Sequence, residues 1–187
     1  EVWESSPDGA TWGPATLTPD LNSNLITIRL GNVVEVTSDL TIDQLTIESG
    51  AELMISSGTF TIANGSVAPD LLVNGVLSGR NAGLIVNGVG SSVTVSSSGV
   101  YRHRYNTISG AIPVATWADG SRIEFLGYTS YNGTIENSSQ SFSNLVWNSP
   151  RQNNAGTGPA FSPNFDAKNI EIISTGSGMV FLGGASP

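Results

Sequence analysis

LTIDQLTIESGAELMISSGTFTI, residues 40–62, contains four short runs: Leu40-Thr41-Ile42, Leu45-Thr46-Ile47, Leu53-Met54-Ile55 and Phe60-Thr61-Ile62. Strand side chains alternate between faces, so the outer two residues of each run share one apolar face and the middle residue takes the other. Asp43-Gln44, Ser49-Gly50 and Ser57-Gly58 separate the runs, and such residues favour bends over continued strand. Working outward, the same form recurs at Leu25-Ile26-Thr27-Ile28, Leu71-Leu72-Val73, Val93-Thr94-Val95, Ile123-Glu124-Phe125, Leu145-Val146-Trp147 and Ile170-Glu171-Ile172. Together with Leu45-Thr46-Ile47 these begin at steps of 20, 26, 22, 30, 22 and 25 residues. No stretch keeps a helical apolar period. A recurrence at this spacing points to a solenoid. Further runs inside each interval, among them Val33-Val34-Glu35-Val36, Val76-Leu77 and Leu84-Ile85-Val86, bring the total to three strands per coil.

The expected fold is therefore all-β: a right-handed parallel β-helix (β-solenoid) of about seven coils over residues 25–187, with an N-terminal cap over residues 1–24. An antiparallel β-sandwich is the alternative, since it too shows short strands with frequent turns. Residues 1–24, with Trp3, Trp12, Pro14 and Pro19, lack the rhythm and can cover the first coil's edge. At the other end Met179-Val180-Phe181 reads as a strand followed only by Leu182 to Pro187. An uncovered strand edge is a template for pairing, so the expected partners are further coils of the same parent protein or copies of this chain stacked end to end.

Composition narrows the function classes. Charged residues make up 12%, hydrophobic residues 39%, and there are 22 glycines and no cysteine among 187 residues. Seven basic residues, of which Lys168 is the only lysine, face 15 acidic ones for a net charge of −8. This lacks the basic footprint that nucleic acid or anionic lipid requires. Without cysteine, disulfides and thiolate metal sites are excluded. No apolar run of about 18 residues is present to insert in a membrane, and no basic, then apolar, leader opens the sequence.

GVYRHRYNTISGAIPVATWADGSRIEFLG (residues 99–127) and SQSFSNLVWNSPRQN (139–153) resemble a domain of large secreted proteins of the Bacteroidetes. The landmarks of the resemblance are Tyr101, His103, Ile112, Pro113, Ala115, Trp117, Gly120, Ser121, Gln140, Phe142, Trp147, Asn148, Pro150 and Gln152. Residues 40–56 are similar to a Leu-x-Ile-x-x-Gly-Ala-x-Leu coil of the same class of surface proteins, and the likeness spans roughly residues 33–175. It implies a secreted or cell-surface location and brings with it neither an enzyme activity nor catalytic residues.

The chemistry-bearing residues gather between 101 and 124. His103 is the only histidine, and neither a Gly-x-Ser-x-Gly elbow nor a cysteine nucleophile accompanies it. Alternation over Tyr101-Arg102-His103-Arg104-Tyr105 separates the two tyrosines and the histidine from the arginines. In one reading the aromatic rings pack inward and the arginines join Asp119 and Glu124 in an outward salt-bridged strip. In another, Tyr101, Tyr105 and Trp117 form an exposed platform for sugar rings, with Arg102, Arg104 and Asp119 adding polar contacts. A third makes the chain a polysaccharide-active enzyme with Asp119 or Glu124 as its acid. No cofactor is expected. Asp8-Gly9, Asn64-Gly65 and Asp119-Gly120 are corners compatible with calcium, without an EF-hand loop or a repeated nonapeptide. The function expected is that of a non-enzymatic structural or adhesive module, with carbohydrate binding as the alternative.

Overall fold

A computed structural model of the chain describes residues 4–6, 10–23 and 25–183. Trp3 of the expected cap, the Asp8-Gly9 corner and Gly184 to Pro187 lie outside the described residues. Strands β1 (Glu4–Ser5) and β2 (Gly13–Pro14) pair antiparallel, and every other strand pairing among the described residues is parallel. One sheet stacks β3 (Ile26–Ile28), β6 (Leu45–Ile47), β8 (Leu71–Val73), β10 (Val93–Val95) and β12 (Thr116–Trp117). The second stacks β4 (Val33–Val36), β7 (Glu52–Ile62), β9 (Val76–Asn87), β11 (Val100–Arg104), β13 (Arg122–Phe125), β14 (Ser141–Asn148) and β15 (Asp166–Ser174), with β5 (Leu40–Ile42) beside the second half of β7. No described residue is helical. The body is a β-solenoid of about six turns, and the antiparallel sandwich is set aside by its ladders.

Register shows how the turns stack. Val33, Glu52, Val76, Val100, Arg122, Asn144 and Asn169 occupy one column, each paired with the next, so seven strands enclose six turns instead of the seven coils expected. The seven triplets also belong to two different sides. Those at 26, 45, 71 and 93 lie in the first sheet, those at 123, 145 and 170 in the second. Val93 therefore pairs not with Ile123 but, through β10, with β8 and β12. The 30-residue step in the sequence marks this change of side. It was concealed because both sheets use the same in-out-in pattern, and buried-intermediate-buried burial recurs in β3, β6, β8 and β10.

The inward columns form the core. One runs Val34, Leu53, Leu77, Tyr101, Ile123, Leu145 and Ile170; its neighbour runs Val36, Ile55, Gly79, His103, Phe125, Trp147 and Ile172. The early turns are filled by aliphatic side chains such as Ile47, Ile55 and Leu71, the later ones by Tyr101, Tyr105, Phe125, Tyr128, Trp147 and Phe161, all nearly or fully buried. Each such side chain contributes about 1.5–3 kcal/mol on burial. The rings of Phe125, Tyr128 and Trp147 stack on one another at centroid separations of 4.9–6.3 Å.

The two ends differ. At the first turn Thr18 and Pro19 border an apolar hollow with Ile26, Val34, Val36 and Leu40, and Trp12 lies under the Arg29 guanidinium at 4.5 Å. At the other end, Met179-Val180-Phe181 is not a strand: Phe181 makes a single bridge to Ala160. The edge belongs to β15, which among the described residues pairs only with β14. There Ile170 and Ile172 are 41% and 44% exposed, against 1% and 0% for Leu145 and Trp147 one turn below.

Candidate functional site

Strand β11 carries the residues that chemistry would use. Its burial alternates as the sequence predicts, with Tyr101 and His103 inside and Arg102 and Arg104 outside. His103 Nε2 stands 2.8 Å from the Ser109 carbonyl and 2.8 Å from the Tyr128 hydroxyl. Nε2–H thus donates toward Ser109, leaving Nδ1 to accept from the Tyr101 hydroxyl 3.3 Å away. Burial pushes the His103 pKa down to about 3, the Ser109 contact opposing it only in part. The ring is neutral at any ordinary pH. Burial likewise raises the Tyr105 pKa to about 12 and holds Tyr101 and Tyr128 well above the usual phenol range.

The exposed sugar platform does not form. Tyr101 and Tyr105 are 0% and 1% exposed, and the Tyr105 hydroxyl donates to the Gly83 carbonyl at 2.9 Å. Inward registry forces this: Gly79, opposite His103, leaves a hollow, and the Tyr105 ring fills it so closely that a Cβ on Gly79 would lie 2.5 Å from the hydroxyl. Trp117 is half-buried, edge-on to Tyr101 at 6.4 Å and to Phe142 at 4.9 Å. Its indole N–H donates to Gln140 Oε1 at 3.1 Å. Of the six candidate residues, Tyr101 and Tyr105 are core, Trp117, Arg102 and Arg104 are half-buried, and Asp119 is exposed.

Arg102, Arg104 and Asp119 do not share one site. Arg102 bonds Glu124 at 3.0 Å and Glu52 at 3.4 Å; Arg122 meets Glu124 at 2.9 Å, and Arg104 meets Glu52 at 3.9 Å. Asp119 sits at a corner, 80% exposed at its side chain, and accepts from Lys168 at 2.9 Å and Ser143 at 3.2 Å. Those hydrogen bonds lower its pKa. The two acids considered for catalysis are therefore occupied separately, Glu124 by two arginines and Asp119 by a lysine and a serine two turns and one turn further on. Among the described residues no three His, Asp or Glu side chains converge as metal ligands.

Two glutamine landmarks of the resemblance and one buried aspartate serve the backbone and the indole N–H groups. Gln140 Oε1 accepts from the Ala115 amide as well as Trp117, while its Nε2 donates to the carbonyls of Pro113 and Asn137. Gln152, 1% exposed, accepts from the Trp147 indole at 3.2 Å and donates to the Met179 carbonyl. Two Trp–Gln pairs thus tie long corner loops to the strands. Asp70, also buried, accepts from the amides of Gly65 and Ser92, both at 2.6 Å, and from the Ser92 hydroxyl at 2.9 Å. Burial alone would raise its pKa, but these bonds prevail and lower it. Sequence reasoning passed over Ser56 and Arg80. The signal was present: Ser56, Arg80 and Arg104 recur at steps of 24 residues, near the period of the coils. Comparison with protein-family models, curated proteins and solved structures finds no match to the chain.

Proposed function

We propose that the chain is a stiff, non-catalytic structural module of an exported protein, a spacer that holds attached segments at a fixed separation. The observation that carries this reading is the use made of the aromatic and imidazole side chains. Tyr101, His103, Tyr105 and Tyr128 are consumed in one buried hydrogen-bonded stack. Consecutive parallel strands then repeat at about 4.8 Å per turn, and each turn rests on its neighbours over the whole cross-section. Export is supported by the neutral-polar, lysine-poor surface, with 12% charged residues and one lysine. Adhesion or end-to-end assembly would use the apolar edge at β15.

Small-angle scattering with native-state hydrogen exchange on the 187-residue chain tests the spacer. A rod of constant cross-section whose inner strands exchange as one slow unit is the expected result. A body that bends in solution, or turns that open independently at low free energy, would remove the basis for a spacer.

A further inference from the structure

The outer face of the second sheet holds an arrangement that the structural role does not use. We propose that Arg80 and Arg104 form a binding site for the carboxylate groups of an acidic polysaccharide. The chain has six arginines and one lysine, and four of those arginines, Arg80, Arg102, Arg104 and Arg122, project from neighbouring strands of this one face. Glu52 and Glu124 pair with Arg102, Arg104 and Arg122, and Glu35 and Glu171 stand further along the outward column of Arg102, so what sets Arg80 and Arg104 apart is incomplete pairing and not a net charge of the face.

The incomplete pairing is concentrated at one place. Arg104 registers directly on Arg80 across the β9–β11 ladder, about 4.8 Å away at the backbone. Like charges stacked this way are destabilising unless an anion lies between them. Arg80 makes no ion pair among the described residues; its guanidinium leans over Met54, with Nη1 3.4 Å from the sulfur. Arg104 has only the 3.9 Å contact with Glu52, and its Nε is buried without a hydrogen-bond partner. Ser56, the next outward position on β7, has a buried hydroxyl that is also unpartnered. The β7–β9 register shifts between Ile55 and Ser57, so Arg80 and Asn81 together oppose Ser56. Bulges of this kind re-aim side chains and recur beside functional sites.

A guanidinium pair beside a hydroxyl suits the planar fork of a carboxylate. The face is a parallel ladder that continues along the solenoid axis through β9, β11 and β13, which fits a linear polymer better than a compact solute. The whole chain is acidic, so a polyanion held by charge density alone is repelled, and recognition rests on the fit of single carboxylates to Arg80 and Arg104, for which single-stranded DNA of comparable charge spacing is the control.

The test is calorimetric titration of the 187-residue protein at low salt with polygalacturonate oligomers, neutral dextran and single-stranded oligothymidylate. Binding of the uronate oligomers alone is expected, falling as salt rises. R80Q and R104Q should each weaken it about tenfold, and R151Q, at an exposed corner, should leave it unchanged, with circular dichroism showing all three variants folded. No heat with uronate at low salt overturns the proposal. So does binding that survives both substitutions, or tighter binding of oligothymidylate.

Discussion

His103 occupies an inward position that most coils would fill with an aliphatic group, and it stays neutral because its surroundings offer one carbonyl and two hydroxyls but no carboxylate. Its folded pKa of about 3 lies below the ordinary histidine value of 6.5. Below pH 6.5 the unfolded chain takes up a proton that the folded chain refuses, so the stabilisation, complete above pH 6.5, is lost progressively as pH falls toward 3. The slope from this residue approaches roughly 1.4 kcal/mol per pH unit. Thermal unfolding from pH 7 to 4 should show the decline, and His103→Leu should flatten it; an unchanged slope in the variant would assign the acid sensitivity to carboxylates such as Asp70. Gly79 supplies a second test at this scale. Alanine there meets the Tyr105 hydroxyl, so Gly79→Ala is expected to destabilise by about 1–3 kcal/mol through overpacking. Denaturant melts measure it, and Gly79→Ala in a Tyr105→Leu background should cost much less.

Among the strands, burial makes comparable aliphatic residues unequal. Leu145 on β14 is covered by turns above and below, whereas Ile170 in the same column on β15 has a neighbour on one side only. Leu145→Ala is expected to cost about 2–5 kcal/mol and Ile170→Ala about 1 kcal/mol or less, a contrast that equilibrium unfolding resolves directly. The corner loops depend on side-chain hooks more than on their own backbones. Replacing Gln152 by alanine leaves the Trp147 indole N–H buried without its acceptor, a loss of about 1–3 kcal/mol, while Gln152→Glu, which preserves the acceptor, should retain part of it. Strand existence and facing were legible in the residues, because period-two alternation is local. Which of the two sheets each triplet joined was not, because both present the same alternation and the corner lengths vary.

For the whole molecule, the column register restricts how copies can meet. Continuing the ladder from β15 onto β4 of a second copy would place Ile170 against Val34 and Ile172 against Val36, which match, but would also place Glu171 beside Glu35. End-to-end association in this register is therefore expected to be weak at low salt and to strengthen with added salt or with Glu171→Gln. Light scattering over a concentration series checks this, and association insensitive to both changes would require another contact. The amino-acid sequence by itself determined the all-β character and the repeat and pointed to the parallel solenoid, since these follow from alternation along each strand and the spacing of the triplets. It left open whether Tyr101, His103, Tyr105 and Trp117 would face solvent or core, how many turns the triplets make, and which charges lie together. Only the tertiary structure decided these, because stacking brings into contact residues about 24 positions apart. The Gly79 hollow that draws in Tyr105, the bulge that sets Arg80 and Asn81 opposite Ser56, and the pairing of Arg80 with Arg104 arise from the register between turns.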